Sequence, residues 1–148
     1  MKTLRAFLIA AGIWYFCNLV LLWPPVYAAA LPLIYPNIEL GQGTPIFGLL
    51  LDAWLIVGIQ LGAIGAVALW GARDPLRYRT LVPVIVLTEL VGSAWDIYSL
   101  VWSGEALWVG LVTLAAHAVI IVGAWLASCA ADREAGASLS GEPEAAGA

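Results

Sequence analysis

Charged residues are scarce in this chain. Only 11% of its 148 residues are Asp, Glu, Lys or Arg, whereas 63% are hydrophobic. Soluble domains contain about 25% charged and about 45–50% apolar residues, so the composition disfavours both a water-soluble globule and a disordered chain. The net charge of −4 leaves no basic surface for a nucleic acid, and two cysteines are too few for a disulfide scaffold. The composition predicts a small polytopic membrane protein.

The apolar residues are gathered into four stretches separated by helix-breaking segments. Each contains 18 or more residues, close to the roughly 20 that cross about 30 Å of hydrocarbon as an α-helix. We therefore expect an all-α fold: a four-helix transmembrane bundle that forms one domain over residues 1–131. The expected spans are about 6–23, 46–71, 81–102 and 106–129.

The basic residues fall on one side of such a bundle. They precede the first span, lie between the second and third, or follow the fourth: Lys2, Arg5, Arg73, Arg77, Arg79 and Arg133. Because cytoplasmic loops carry the excess of positive charge, we predict a multi-pass protein of the cell membrane with both termini cytoplasmic. A cleavable signal peptide is the alternative for the first stretch, since small residues follow it at 28–30.

Two segments outside the spans are also distinctive. Residues 24–45 contain five prolines and are too apolar for a solvated linker, so we expect a loop that caps the outer mouth of the bundle. Residues 132–148 are rich in Ala, Gly, Ser and Glu, which predicts a disordered cytoplasmic tail.

Three carboxylates lie inside the expected spans without a Lys or Arg: Asp52, Glu89 and Asp96. An ionised side chain at the centre of a transmembrane helix costs roughly 2.5–3.5 kcal/mol on insertion scales, so these residues are expected to face the interior. Glu89 and Asp96 are seven residues apart and project from one helix face, with Ser93 between them. The sole histidine, His117, lies near the middle of the fourth span. We expect at least one of the acids to be protonated.

Further polar and aromatic residues complete an expected pocket. Asn18 and Asp52 lie near the outer ends of their spans, and Gln60 lies near the middle of its own. Trp54 and Trp95 are candidates to line the pocket or to stabilise a cation. The structural alternative is that buried amides and hydroxyls join membrane helices at about 0.6–2 kcal/mol each, which suits Asn18 and Gln60. Three carboxylates are harder to explain in this way, because a neutral amide would join helices at lower cost.

Glycines on the second span indicate close helix packing. Gly58 and Gly62 form a GxxxG pattern that Gly65 continues, and such patterns let two backbones approach closely. We expect packing within the chain, with a homodimer as the open alternative. The sequence contains no metal-ligand cluster and no phosphate-binding glycine loop, so no metal and no cofactor are expected.

Several short motifs resemble those of the BphX-like family of small four-span bacterial membrane proteins, which is named after aromatic-degradation gene clusters. They lie between Asp52 and Tyr98, a stretch of about a third of the chain, and are Asp52-Ala53-Trp54, Gly58, Gly65, Arg73-Asp74-Pro75, Glu89-Leu90 and Asp96-Ile97-Tyr98. The resemblance implies a four-span membrane protein.

More distantly, the layout resembles the emopamil-binding-protein-like (EXPERA) group and the membrane-bound terpenoid cyclases. Glu89-Leu90-Val91-Gly92 falls where that group has a polar residue followed by Leu-x-Gly, and His117 falls near a polar position of its last span. This resemblance implies buried acids that protonate a hydrophobic substrate or stabilise a carbocation. The His and Glu of the group's earlier span are absent here, where Asn18 and Asp52 stand instead.

These observations predict an acid–base enzyme of the isomerase or cyclase type, which protonates a double bond or epoxide of a lipophilic, isoprenoid- or sterol-like molecule. Glu89 is the expected acid, Asp96 the ionised partner, and Asp52 the residue that orients Asp96 or shares its proton, with His117 as a proton relay. The expected substrate-binding residues are Asn18, Trp54, Gln60, Ser93, Trp95 and His117. The alternative is a receptor, carrier or accessory protein for a hydrophobic or cationic ligand. Either protein would bind its lipophilic ligand within the lipid bilayer, and no nucleic acid.

Single cysteines, placed in a chain whose Cys17 and Cys129 are replaced by serine, test the predicted topology. Ser103→Cys should react with a membrane-impermeant maleimide added to intact cells, whereas Arg77→Cys should react only in opened membranes. The two connections lie on opposite sides of the bilayer under this topology. Labelling of Arg77→Cys in intact cells, or protection of Ser103→Cys there, would contradict it.

Overall fold

A computed structural model of the protein describes residues 2–39 and 41–140, with side chains described up to residue 136. These residues form helices joined by turns, and no strand occurs among them. The all-α prediction is therefore confirmed. The helices are α1 (Lys2–Leu21), α2 (Pro24–Ile34), α3 (Pro45–Gly71), α4 (Leu81–Tyr98) and α5 (Leu107–Ser140), and a π-helical turn (Ser99–Ser103) continues α4.

Four of the helices are long and apolar enough to cross a membrane. They are α1, α3, α4 together with the π-helical turn, and the part of α5 from Leu107 to Gly136. The shortest, α1, has 20 residues and spans about 30 Å at a rise of 1.5 Å per residue. The four predicted spans thus correspond to four helices of membrane-spanning dimensions.

The first helix is the centre of the bundle. Leu4, Leu8 and Tyr15 of α1 are almost fully buried. Leu8 and Tyr15 belong to a cluster that also contains Ala68 of α3 and Ile85 of α4. In addition, α1 packs along α3 and α5, and α4 packs along α5. This arrangement places the buried faces of α4 and α5 against each other, with α1 beside them.

The glycines of α3 form its contact with α1. Gly58 and Gly62 pack on Leu19, and Gly65 packs on Gly12 and Tyr15. A Cβ at Gly65 would come within 2.9 Å of the Gly12 carbonyl oxygen, so the two backbones are as close as glycine permits. Packing within the chain, which we expected from the GxxxG pattern, is what the structure shows for this face.

We expect a loop over residues 24–45, but the first part of this segment forms the helix α2. Pro24 and Pro25 occupy the first turn of α2, where a missing N–H costs nothing and the fixed φ favours a helix. The chain leaves the helix at Tyr35, ahead of Pro36, since the residue before a proline disfavours helical geometry. The Ala106 N–H donates to the Ile34 carbonyl at 2.7 Å and fixes α2 to the start of α5.

The first part of the expected disordered tail, residues 132–140, is helical instead. Helix α5 continues to Ser140, because Ala, Arg and Glu after the span are good helix formers. Asp132 forms a salt bridge of 2.7 Å with Arg79 in the α3–α4 connection. The rest of the predicted tail, residues 141–148, lies outside the described residues.

Alanine substitutions in α3 test the glycine contact. Gly65→Ala should reduce the free energy of unfolding by about 1–3 kcal/mol, the usual cost of overpacking, because the new methyl group meets backbone atoms of α1. Gly48→Ala is the matched control in the same helix, since nothing lies within 4 Å of its Cβ position. It should be neutral or stabilise the protein by up to about 1 kcal/mol through helix propensity. Equal effects of the two variants in detergent unfolding titrations would contradict the contact.

Candidate functional site

Glu89 and Asp96 lie on the buried face of α4. Their relative exposures are 1% and 8%, and they are the buried acids among the described residues. The seven-residue spacing is close to two helical turns, so both carboxyl groups point to the same side. The predicted common orientation of this pair is confirmed.

His117 of α5 lies between the two carboxyl groups. Its Nδ1 is 2.5 Å from Glu89 Oε2, and its Nε2 is 3.3 Å from Asp96 Oδ2. The side chains of His117 and Asp96 keep 16% and 12% exposure, whereas that of Glu89 keeps 1%. We call Glu89, His117 and Asp96 the triad. It joins α4 to α5, and its accessible edge is formed by His117 and Asp96.

A glycine makes room for the imidazole. A Cβ at Gly92 would lie 2.6 Å from His117 Cε1 and 2.9 Å from His117 Nε2, so the ring rests directly on the α4 backbone. Gly92 lies within one turn of both acids, three residues after Glu89 and four before Asp96. Only a residue without a side chain at this position lets one imidazole reach both carboxyl groups.

Tyr15 of α1 lies beside the triad, a position that the sequence pattern does not predict. Its side chain is 1% exposed, and its hydroxyl is close to Glu89 and Thr88. The hydroxyl is buried and has no partner with good hydrogen-bond geometry. The sequence held only an indirect signal, namely a phenol at mid-depth in a span that is otherwise almost entirely apolar.

A second polar cluster lies at the end of the bundle that contains α2 and the turn between α4 and α5. We call this end of the bundle the distal end. The hydroxyls of Tyr35 and Ser99 are 2.9 Å apart, and Glu105 lies beside them. Burial raises the pKa of Glu105 and of Tyr35 above their ordinary values. Asp96 acts on both groups through its charge, in the same direction. The sequence pattern does not point to these three residues, because each lies at or beyond the edge of an apolar stretch.

The structure does not bring the remaining predicted polar residues into the triad. Asn18 donates to the Trp14 carbonyl at 3.0 Å, and Ser93 donates to the Glu89 carbonyl at 2.8 Å. Both side chains therefore satisfy their own helices. Asp52 and Gln60 are exposed on α3, contrary to the expectation that every polar stripe faces the interior.

Aromatic rings form a continuous row near the distal end. Successive ring centroids are 5.4 to 5.7 Å apart, within the range of favourable aromatic pairs. The row bridges α3 and α4 through the contact between Trp54 and Trp95, at 5.7 Å. Its members are Tyr27, Trp54, Trp95, Tyr98 and Trp102. The two tryptophans predicted to line a pocket thus do meet, and their ring contacts are with other aromatic residues.

Proton transfer is the chemistry that the triad geometry permits. Neutral imidazole donates from one ring nitrogen and accepts at the other. Here Nδ1 forms a short hydrogen bond with Glu89 Oε2, and Nε2 lies 3.3 Å from Asp96 Oδ2, a buried atom without a well-aligned hydrogen bond among the described residues. A proton accepted from one carboxyl group at one nitrogen can therefore be matched by a proton released to the other carboxyl group. Among the described residues no Lys or Arg contacts the triad, so its charge balance depends on where these protons reside.

The fold and this site define a class: a small all-helical protein with four helices of membrane-spanning length and a carboxylate–imidazole triad in its interior. The chain belongs to the BphX-like family, whose family model matches residues 1–133. Two relatives named uncharacterized BphX-like protein, from Burkholderia cepacia and from Paraburkholderia xenovorans (strain LB400), are each 57% identical over 121 residues. The match covers 82% of this chain and 87% of each relative. No solved structure matches the chain.

Gly92→Ala tests the position of the imidazole. The added methyl group should displace His117 from Asp96 and reduce stability by about 1–3 kcal/mol. It should also shift the ¹⁵N resonances of His117, which are free of overlap because the chain has one histidine. Gly123→Ala in α5 is the control, since its Cβ would meet Phe7 at an ordinary 3.5 Å. Unchanged ¹⁵N resonances in Gly92→Ala would show that the ring does not rest on Gly92.

Proposed function

We propose that this protein is an intramembrane acid–base enzyme of the isomerase or cyclase type, acting on a lipophilic, isoprenoid- or sterol-like molecule. The observation that carries the proposal is the imidazole of His117 held between the carboxyl groups of Glu89 and Asp96. Such an arrangement both stores a proton and moves it, which protonation of a double bond or epoxide requires.

The exposures of the three side chains suggest their roles. Glu89, at 1% exposure, is too deeply buried to meet a substrate. His117 therefore donates the proton to the substrate, and Glu89 is the reservoir that protonates His117 again. Asp96, at 12%, lies on the accessible edge, where an ionised carboxylate stabilises a developing carbocation or removes a proton at the end. In an isomerisation one proton is added to the substrate and one is removed, so the triad returns to its starting state.

A purely structural role explains the triad less well. Polar contacts between membrane helices contribute on average about 0.6 kcal/mol, and an amide–amide contact would join α4 to α5 without burying ionisable groups. Removing water from a charged pair costs several kcal/mol per ion unless the geometry repays it. Retaining two acids and an imidazole in this interior is therefore costly for a helix–helix contact alone, and this supports a chemical use.

We infer a membrane location and orientation for the enzyme from the same charge pattern that predicts its topology. With the basic residues in the cytoplasm, the distal end faces outward, and Asp96 is nearer to that end than Glu89. A hydrophobic substrate would then reach Asp96 and His117 from the outer leaflet of the lipid bilayer.

The second candidate function is a non-enzymatic receptor or carrier, and the aromatic row favours it. A row of ring faces and edges suits a flat hydrophobic ligand, and indole faces also attract cations. Asp52 lies two residues from Trp54 and is exposed, so it is better placed to bind a cationic ligand at the row than to orient Asp96. We therefore assign Asp52 to this candidate rather than to the triad.

Lipids that co-purify with the protein in mild detergent, identified by mass spectrometry, supply the substrates to be tested. Glu89→Gln should reduce turnover by about 10²–10⁴-fold, because the amide keeps the shape but has no transferable proton. Asp96→Asn should reduce it similarly, whereas Asp74→Asn, in an exposed turn, is the matched control and should not. Full turnover in both triad variants would exclude the enzyme. Binding of a lipid without its turnover by the unmodified protein would favour the receptor.

A further inference from the structure

The triad has a polar neighbour on its distal side. Ser99 lies one helical turn beyond Asp96 on the same face and is completely buried. Its hydroxyl is 2.9 Å from the Tyr35 hydroxyl, and its carbonyl accepts the N–H groups of Gly104 and Glu105. Ser99 thus holds the turn through its carbonyl and contacts a phenol through its buried hydroxyl. It extends the polar interior from Asp96 towards the distal end of the bundle.

Glu105 is the acid of this extension. Its carboxyl group lies beside the Ser99 side chain, and its charge interacts with Asp96 of α4 and with Tyr27 and Tyr35 of the α2 segment. The Oε2 atom of Glu105 is buried and has no hydrogen-bond partner among the described residues. Burial raises the pKa of Glu105 above its ordinary value, so this carboxyl group keeps a proton at a higher pH than a surface glutamate does.

Tyr35 connects this cluster to a cavity. A cavity of about 280 Å³ at the distal end is lined by Tyr35 together with Glu39, Gln42 and Phe47, among others. The volume holds several water molecules, since each occupies about 30 Å³ in the liquid. The glutamate and the glutamine give such water polar partners. One face of the phenol therefore belongs to the wall of the cavity, while its hydroxyl bonds to buried Ser99.

We propose that Tyr35, Ser99 and Glu105 form a proton path between the distal cavity and Asp96 of the triad. Water in the cavity gives a proton to the Tyr35 hydroxyl, whose own proton passes to the Ser99 hydroxyl. Ser99 in turn passes a proton to the neighbouring Glu105 carboxylate, and the proton that Glu105 then releases converts the Asp96 carboxylate into a carboxylic acid. Each hydroxyl gains one proton and loses one, so no charge remains along the path. The inference rests on the proposed acid–base role of the triad and specifies where its protons come from.

Hydrogen exchange at the sole histidine measures this path directly and needs no substrate. The chain, labelled with ¹⁵N-histidine, is placed in lipid nanodiscs, and exchange of the His117 ring protons with water is followed by NMR. Tyr35→Phe, Ser99→Ala and Glu105→Gln should each slow exchange by about tenfold or more, a barrier increase of about 1.4 kcal/mol. The ¹⁵N resonances and the melting temperature report whether each variant keeps the fold.

Tyr78→Phe is the matched control, because Tyr78 packs against Gly71 at the opposite end of the bundle. It should leave the exchange rate within about twofold of the unmodified protein. Tyr35→Phe removes the hydroxyl and Glu105→Gln removes the transferable proton, both with little change in bulk, so unchanged exchange in these two variants would overturn the path. Equal slowing in Tyr78→Phe would overturn it as well. This experiment measures hydrogen exchange and not turnover. Failure of the path would therefore appear as unchanged exchange, whereas failure of the proposed enzyme would appear as full turnover by Glu89→Gln.

Discussion

The contact of one imidazole with two carboxyl groups determines how α4 and α5 pack. None of the three groups could lie alone in an apolar interior, because burial of an unpaired ionisable group is strongly unfavourable. Their spacing fixes both the rotation and the depth of the two helices: Glu89 and Asp96 are two turns apart, and His117 reaches both at 2.5 and 3.3 Å. Gly92 is part of the same constraint, since any side chain there would occupy the position of the ring.

A related constraint shapes the distal end. The chain has to end α4 soon after Asp96 and reverse direction into α5, so that His117 of α5 lies against Gly92 of α4. The π-helical turn Ser99–Ser103 achieves this, and Gly104 closes it at φ +71°, a backbone conformation that glycine adopts without strain. Short π-helical segments often occur at functional sites. Here the segment buries the Ser99 hydroxyl next to the triad, so the turn that aligns the helices also continues the polar interior.

The sequence predicted the number of spans and the Glu89–Asp96 face, because both follow from local periodicity. It suggested His117 as a relay but did not place the ring between the two acids, since that depends on the rotation of α5 relative to α4. The expectation for Asp52 and Gln60 failed for a physical reason. The inward face of α3 carries Gly58 and Gly62, where even a methyl group would meet Leu22 at 3.1 Å or Leu19 at 2.8 Å. Gln60 lies between these glycines in sequence and so, at about 100° per residue, on the opposite side of the helix.

The proton content of the triad links its stability to its chemistry. In a medium of low dielectric constant the electrically neutral states of the cluster are favoured. With two carboxyl groups and one imidazole, neutrality requires either a neutral ring between two carboxylic acids, or an imidazolium with one carboxylate and one carboxylic acid. Every neutral state therefore contains a protonated acid. Because these states differ only in the positions of the protons, the protons belong to the cluster rather than to one residue. The arrangement that is least costly to bury is thus also one that holds a transferable proton next to a base, which a pair of amides joining α4 to α5 could not provide.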